Sequence, residues 1–252
     1  MRVHRSLQEW RAVRGPLDRT GQTIGFVPTM GALHTGHRAL LARARADNDC
    51  VVLSIFVNPT QFNDPADLKN YPRTLEQDLA LARDLVDDVI VPAPEELYAD
   101  DYRFRVTENQ LSTQLEGAHR PGHFDGVLTV VLKLLNLVRP HRAYFGEKDW
   151  QQLRLIEGMA KALFLPVEIV ACGTERDPDG LALSSRNRRL SPAARVQAGQ
   201  FPHILRAAPS AAAAATALLT AGFMVDYVED RDGVRLGAVR IENVRLIDNV
   251  RL

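Results

Sequence analysis

Short apolar stretches alternate with helical patterns along the first two thirds of the chain. Residues 51–57 are nearly all apolar, which is typical of a strand buried on both faces of a sheet. In segment 124–138 the apolar residues instead recur every three or four positions, so they share one side of a helix. This alternation predicts an α/β fold, a doubly wound parallel sheet covered by helices on both faces.

The predicted elements follow one another without an internal repeat. In chain order they are a strand at 23–27, a helix that starts after 35–36 and continues to 46, a strand at 51–57, a helix at 74–85, a strand at 89–91, a helix at 124–138, a strand at 143–145, a helix at 150–163 and a strand at 167–171. Each strand and the helix after it make one βα unit, so the sheet is expected to be parallel.

The pattern changes after Gly173. A polar stretch rich in Arg, Asp and Ser leads to an Ala-rich helix, and segments 225–229 and 244–248 then alternate apolar and polar residues. Alternation of this kind indicates strands with one solvated face, as in a small antiparallel sheet. We therefore expect two domains, residues 1–173 and a small α+β domain of residues 174–252.

Composition and charge narrow the class of protein. Hydrophobic residues make up 46% and charged residues 25%, as in ordinary globular proteins. The 31 basic and 31 acidic residues cancel, so the bulk charge attracts neither nucleic acid nor an anionic membrane. No apolar stretch approaches the roughly 20 residues of a membrane helix, and the first ten residues carry charges where a signal peptide is apolar. We expect a cytoplasmic protein with no nucleic-acid or membrane partner.

Two histidines, His34 and His37, stand directly after the first predicted strand, at the head of the following helix. The unpaired N–H groups and the dipole of a helix N-terminus favour an anion, and Gly36 lets a phosphate approach the backbone closely. We interpret this segment as a phosphate site to which the imidazoles donate hydrogen bonds. One alternative is a zinc site, although no further cluster of Cys or His accompanies the pair. Another is a pair of surface histidines without function.

The segment that contains these histidines, residues 27–37, reads VPTMGALHTGH. It resembles the signature of the class I nucleotidyltransferases and, more narrowly, of the pantothenate synthetase family, the pantoate–β-alanine ligases. Further segments match the same family in chain order: 54–62, 71–74, 120–124, 145–153, 183–187 and 245–249. The resemblance implies a Rossmann-like fold and an ATP-dependent, AMP-forming ligase. Such an enzyme joins pantoate to β-alanine through a pantoyl adenylate and releases AMP and pyrophosphate.

The resemblance also assigns phosphate-binding residues. Attack of a carboxylate on the α-phosphate of ATP adds charge to an anionic centre, so cations and oriented donors are needed around it. Basic and hydroxyl side chains are implied to be catalytic: His34, His37, Lys148, Arg186, Ser184 and Ser185. The residues implied to bind ATP are Thr29, Met30, Gly31, His34, His37, Gly146, Lys148, Asp149, Leu183, Ser184, Ser185 and Arg186. The segment 183–187 corresponds to the family's mobile basic loop.

Uncharged amides are suited to hold a small hydroxy-acid, because they orient its carboxylate without a competing charge. The resemblance implies that Gln61 and Gln152 bind pantoate. An apolar pocket for the gem-dimethyl group is implied at Pro28, Met30 and Phe62. We expect Mg²⁺ with ATP, and Asp78 in the first turn of its helix is either a Mg²⁺ ligand or only a complement to the helix dipole. A homodimer is implied by the resemblance alone.

The sequence departs from the family pattern in two places. His141 stands where the family usually has an aspartate, and about thirty residues of the usual C-terminal domain are trimmed between Pro202 and Gly237, in the domain expected to close over ATP. Three alternative functions fit parts of the sequence: a nucleotidyltransferase with a phosphate-bearing acceptor, an aminoacyl-tRNA synthetase and an inactive nucleotide sensor. The nucleotidyltransferase would need more basic residues at the acceptor pocket, and the synthetase would need a basic surface for tRNA. The inactive sensor would have lost cationic groups that this chain retains.

Overall fold

A computed structural model of the chain describes residues 1–17 and 21–252. The chain divides into two compact units. The N-terminal unit comprises Met1–Leu33, His37–Gly146 and Gln151–Cys172, and the C-terminal unit comprises His34–Gly36, Glu147–Trp150 and Gly173–Leu252. The continuous part of the C-terminal unit thus begins next to the expected boundary, and two short segments from the first 173 residues group with it.

The N-terminal unit contains a parallel sheet of six strands in the order β1-β4-β3-β2-β5-β6. The strands are β1 (Arg2–His4), β2 (Ile24–Thr29), β3 (Cys50–Ile55), β4 (Asp88–Ile90), β5 (Arg142–Gly146) and β6 (Glu168–Cys172). The helices along this part of the chain are α1 (Leu7–Leu17), α2 (Thr35–Asp47), α3 (Pro65–Lys69), α4 (Leu75–Ala82), α5 (Pro94–Leu97), α6 (Glu116–His119), α7 (His123–Val138) and α8 (Trp150–Ala162).

Successive residues of the central strands enter two different apolar cores, one on each face of the sheet. Phe26 and Val52 belong to the core that includes the apolar side of α7, whereas Val27 and Val51 belong to the core on the opposite face. Since side chains alternate along a strand, a strand with both faces covered must be apolar throughout, as β3 is. The predicted doubly wound parallel sheet is confirmed.

The edge strand β1 and the helix α1 precede the first element that the sequence pattern predicts. Strand β1 pairs with β4, and the fully buried Asp88 accepts hydrogen bonds from both Arg2 and His4. The side chains of β1 are thus held by charge as well as by burial. A strand of three residues with this composition has no apolar run by which it could be predicted.

The C-terminal unit combines helices α9 (Pro192–Ala198), α10 (Gln200–Ala207) and α11 (Ala211–Thr220) with strands β7 (Met224–Arg231), β8 (Val234–Ile241) and β9 (Val244–Arg251). The strands form an antiparallel sheet in that order, which confirms the small α+β domain class. The middle strand β8 was not predicted. It contains the buried Arg235, which donates hydrogen bonds to the carbonyls of Leu205 and Ala208 and to the Asp230 carboxylate.

Among the described residues, no helix is both long and apolar enough to cross a membrane.

Candidate active site

A buried carboxylate, that of Asp78, holds the backbone of the loop after β2. Asp78, 2% exposed, accepts hydrogen bonds from the backbone N–H groups of Ala32 and Leu33, at 3.0 and 2.8 Å. The Thr74 hydroxyl also donates to it, at 3.1 Å. Gly31 just before has a φ of +78°, which favours glycine, so the turn depends on both backbone freedom and this carboxylate. Asp78 therefore shapes the loop that leads to the histidine segment.

The sequence suggests two metal sites, zinc at the histidine pair and Mg²⁺ at Asp78, and the side-chain contacts are relevant to both. The Asp78 carboxylate is occupied by three hydrogen bonds, and within residues 1–17 and 21–252 no three His, Cys, Asp or Glu side chains are grouped so as to hold a metal ion. The structure thus offers no protein cage for zinc at the histidine pair. A Mg²⁺ ligand role for Asp78 stays a prediction.

His34 is held as a neutral hydrogen-bond donor. Its Nδ1 accepts from the backbone N–H of Gly36 at 3.1 Å, which places the ring proton on Nε2. Burial, reinforced by the charges of Lys148 and Arg188, lowers the pKa of the imidazole to about 4. At neutral pH the ring is therefore uncharged and can donate Nε2–H to an anion. His37 lies in the first turn of α2 and is half-buried.

Three of the predicted phosphate-binding residues meet around one small cavity in the C-terminal unit. Lys148, Ser184 and Arg186 line it, together with Ile247 of β9. The Ser184 hydroxyl accepts a hydrogen bond from the backbone N–H of Arg186 at 3.2 Å and caps the short helical turn Ser185–Arg189. That hydroxyl keeps its own proton to donate, so the cavity wall presents two cations and a hydroxyl donor.

Gln61 ends the helical turn that follows β3, and its amide has a defined orientation. Its Oε1 accepts a hydrogen bond from Asn58 Nδ2 at 3.0 Å, and its Nε2 lies 3.1 Å from the Met30 sulfur. The Tyr98 hydroxyl in turn donates to Asn58 Oδ1 at 2.7 Å. Since the oxygen is already engaged, Gln61 presents its NH₂ group, a donor suited to a carboxylate or a hydroxyl.

The backbone of Gln61 is held as well. Its carbonyl accepts hydrogen bonds from Nδ1 of His123, the first residue of α7, at 2.9 Å and from Arg120 at 3.3 Å, so both side chains hold the backbone of the turn. Helix α7 approaches the turn through Gly126, where an added Cβ would lie only 2.5 Å from the Thr60 carbonyl oxygen. The turn thus packs directly against the helix backbone.

The other predicted residues lie at the ends of strands, in loops or in first turns. Pro28 and Thr29 are in β2, Gly146 ends β5, and Gln152 is half-buried in the first turn of α8. The remaining ones are half-buried: Phe62, Asp149, Leu183 and Ser185. His141 accepts a hydrogen bond from the Ile24 N–H at 2.9 Å, which supports the start of β2.

Sequence reasoning did not identify Asn58 or Tyr98 as the residues that orient the Gln61 amide. An Asn-Pro pair directly after a buried strand was the available signal for Asn58, because Asn side chains frequently cap the following turn. Tyr98 had no signal, since its link to Asn58 crosses 40 positions of the chain.

Comparison with known proteins extends over the whole chain. The model of the family described as pantoate-beta-alanine ligase matches residues 2–251. A Bdellovibrio bacteriovorus relative named pantothenate synthetase is 55% identical over 251 residues, 99% of each chain. The chain belongs to the pantoate–β-alanine ligase family.

Two further family members bear on length and fold. A Legionella pneumophila pantothenate synthetase is 49% identical over 253 residues, 100% of each chain. This relative therefore has the same short C-terminal region. The crystal structure of a Francisella tularensis pantoate–β-alanine ligase complexed with beta-gamma ATP and β-alanine is 40% identical. It has a TM-score of 0.95 and covers 100% of this chain and 97% of its own.

Proposed function

We propose that the protein condenses pantoate with β-alanine at the expense of ATP, which yields pantothenate, AMP and pyrophosphate. The observation that carries the proposal is the family match over residues 2–251. It is supported by two chemically different groups of residues, a neutral amide turn in the N-terminal unit and a cationic cavity wall in the C-terminal unit. The complexed ligands of the Francisella enzyme, beta-gamma ATP and β-alanine, agree with two of the three substrates.

In the first half-reaction a pantoate carboxylate oxygen attacks the α-phosphorus of ATP. A new O–P bond forms, the bond from the α-phosphorus to the bridging oxygen breaks, and pyrophosphate leaves with that electron pair. Charge builds on the phosphate oxygens, and preorganised cations and donors stabilise it. We assign this work to the half-buried basic and hydroxyl groups Lys148, Arg186, His34, His37, Ser184 and Ser185.

Pantoate is held for this attack by uncharged groups. The NH₂ group of Gln61 donates to the pantoate, and its orientation is set before the substrate arrives because Asn58 occupies the amide oxygen. Gln152 is the second amide. Met30, which contacts the Gln61 amide, forms an apolar wall together with Pro28 and Phe62.

In the second half-reaction the free amine of β-alanine attacks the acyl carbon of the adenylate. The amide bond forms, the bond from the acyl carbon to the adenylate oxygen breaks, AMP leaves, and the amine releases a proton. We propose that the acyl group stays bound noncovalently between the two steps, because no Cys or Ser of the predicted site is paired with a general base.

Mg²⁺ is proposed to enter with ATP, held mainly by the phosphates, as is usual for this ion. The described side chains do not offer a Mg²⁺ cage of their own, and no step is assigned to Asp78 beyond shaping the loop.

We further propose a cytoplasmic homodimer. The buried thiol of Cys50 suits a reducing compartment, and ATP is available there. Size-exclusion chromatography with light scattering tests the dimer.

The experiment that tests the function is exchange of labelled pyrophosphate into ATP. Exchange is expected with pantoate present and β-alanine absent, because the first half-reaction alone is reversible. Pantothenate should appear only after β-alanine is added. Exchange that needs β-alanine, or that runs without pantoate, would contradict the order of steps and the role of both glutamines.

A further inference from the structure

The last strand of the C-terminal unit reaches the turn that carries Lys148. Asn249 of β9 donates two hydrogen bonds from its side-chain amide, one to the carbonyl of Glu147 at 2.8 Å and one to the carbonyl of Lys148 at 3.0 Å. We propose that Asn249 is a positioning residue, which fixes the backbone of Lys148 so that its ammonium group meets the phosphates of ATP.

Asn249 is itself fixed by a buried ion pair. The carboxylate of Asp248, 3% exposed, accepts a hydrogen bond from the Asn249 N–H at 2.7 Å and two from the Arg176 guanidinium, at 2.7 and 2.9 Å. Arg176 also donates to the Asn249 carbonyl at 2.9 Å. Both backbone polar groups of Asn249 are thus held, and its amide has little freedom to leave the turn.

The chemistry requires an amide at this position. Two consecutive carbonyl oxygens are acceptors, so they need a group with two N–H donors, which Asn provides and Asp does not. A lysine side chain is long and flexible, so the backbone from which it starts decides which volume the ammonium group samples. Lys148 Nζ lies 3.9 Å from its nearest carboxylate partner, Asp149, which is a loose contact. The backbone anchor is therefore the main constraint on Lys148.

This inference rests on the proposed role of Lys148, and two variants of Asn249 test it. Asn249→Ala removes the two donors, and Asn249→Asp keeps the shape but presents acceptors to acceptors. Both are expected to lower the rate of pantoate-dependent pyrophosphate exchange by about 100-fold, the scale of a misplacement of about 1 Å. The KM for pantoate should stay within about twofold of the parent value, since Asn249 has no hydrogen bond to Gln61, the residue proposed to bind pantoate.

Two controls separate positioning from stability. Arg251→Ala removes a neighbour on the same strand that donates to the Glu147 carboxylate at 3.2 Å and not to the backbone of the turn, so it should leave exchange unchanged. Val239→Ala removes methyl groups from the core of the same unit, so it lowers Tm without touching the turn. Exchange activity is compared under conditions in which Val239→Ala and Asn249→Ala have the same Tm. If Val239→Ala then loses as much exchange activity as Asn249→Ala, Asn249 is only structural and the inference is overturned.

A double-mutant cycle decides whether Asn249 acts through Lys148. ATP affinity, measured by calorimetry, is the readout, because Lys148→Ala is expected to leave little turnover. Asn249→Ala should weaken ATP binding about tenfold in the parent and by less than about twofold in the Lys148→Ala background. A loss of equal size in both backgrounds overturns the inference.

The two failures can be told apart. Near-normal exchange by Lys148→Ala removes Lys148 from the proposed site. Loss of exchange by Lys148→Ala with normal exchange by Asn249→Asp leaves the proposed function standing and overturns only the role of Asn249.

Discussion

Two turns proposed to bind substrate, one in each unit, are built in opposite ways. The turn Pro59–Gln61 of the N-terminal unit, called the pantoate turn after its proposed ligand, has a buried, uncharged amide whose side chain and backbone are both hydrogen-bonded, through Asn58 and His123. In the turn Glu147–Asp149 of the C-terminal unit, called the phosphate turn after its proposed ligand, the backbone is anchored by Asn249, while the cationic end of Lys148 has only a loose contact. One part fixes the functional atoms themselves, and the other fixes only the point from which a flexible side chain starts.

This difference corresponds to two kinds of recognition. A buried amide with one defined donor rejects molecules that lack the matching acceptor, because a polar group would be left unpaired. A flexible lysine side chain can instead follow charge as it moves from ATP to pyrophosphate and to the adenylate. The comparison predicts that changes in the pantoate turn alter selectivity and KM, whereas changes in the phosphate turn alter the rate of adenylate formation.

Lys148→Ala is expected to have the largest effect. Loss of one cation at the phosphoryl centre should raise the barrier to adenylate formation by about 3–5 kcal/mol with the fold intact. Pyrophosphate exchange measures the loss, and circular dichroism checks the fold. Lys161→Ala, an exposed lysine in the last turn of α8, is the control. Near-normal turnover by a folded Lys148→Ala protein would remove that residue from the site.

His34→Ala and His37→Ala should each raise the barrier by about 2–4 kcal/mol, since the N-terminus of α2 still binds phosphate. His34→Gln keeps an N–H donor near the position of Nε2, so it should retain more activity than His34→Ala. ATP-dependent kinetics measure both effects. Weakened zinc binding together with normal ATP binding would favour the metal interpretation.

Gln61→Glu tests the neutral part of the site. The Asn58 amide can still bind one carboxylate oxygen, but the other replaces a donor with a negative charge that repels the pantoate carboxylate. We expect the KM for pantoate to rise by the equivalent of about 2–3 kcal/mol, with the KM for ATP unchanged. Gln8→Glu, an exposed position of α1, is the control. An unchanged KM for pantoate would show that Gln61 is not a pantoate ligand.

Tyr98→Phe removes the hydroxyl that donates to Asn58, two hydrogen bonds away from the presented NH₂ group. The loss should be about 1 kcal/mol in the free energy of unfolding, with a severalfold rise in the KM for pantoate. Chemical denaturation and steady-state kinetics measure the two quantities. Tyr102→Phe, whose ring packs edge-on against Tyr98, should change neither. Equal behaviour of the two variants would argue against the Tyr98–Asn58 link.

The last expected effect concerns stability and not turnover, and it is a pH dependence that comes from His34. Its pKa is about 4 in the folded protein and about 6.5 when unfolded, so the unfolded chain binds more protons between these values. The stability of the parent relative to His34→Gln is therefore at its full value above pH 6.5 and falls as the pH drops towards 4. Thermal unfolding of both proteins from pH 4.5 to 8 measures it. If the parent loses no stability relative to His34→Gln as the pH is lowered, the pKa of His34 is not lowered in the folded protein.

Much of the fold was predictable because its strands are apolar and its helices amphipathic. The ends of β3 and α7 lie within two residues of the ends of the predicted segments. Strand β8 was missed because it contains Arg235, whose charge is satisfied by helix carbonyls and Asp230 that only the folded chain brings together. The edge strand β1 was missed for the same reason, since its polar partner Asp88 lies far along the chain.

The site was predictable where a local motif carries the chemistry. The histidine segment and the Lys148 segment each combine a strand end with a helix start. The hydrogen bonds of Asp78 were not predictable, because a carboxylate in a first turn suggests a dipole complement or a metal ligand and gives no sign of its partners, the N–H groups of Ala32 and Leu33. Such contacts between distant segments leave no trace in local spacing.

The close approach of α7 to the Thr60–Gln61 turn limits how the substrate range can be engineered. With no side chain between the Gly126 backbone and the turn, the backbone of Thr60 and Gln61 has no space in which to shift towards α7 and make room for a larger acid. Even alanine at position 126 would displace the turn. A library aimed at bulkier hydroxy-acids should therefore vary the apolar wall, with Met30 and Phe62 as first positions, and leave the amide turn and its glycine unchanged.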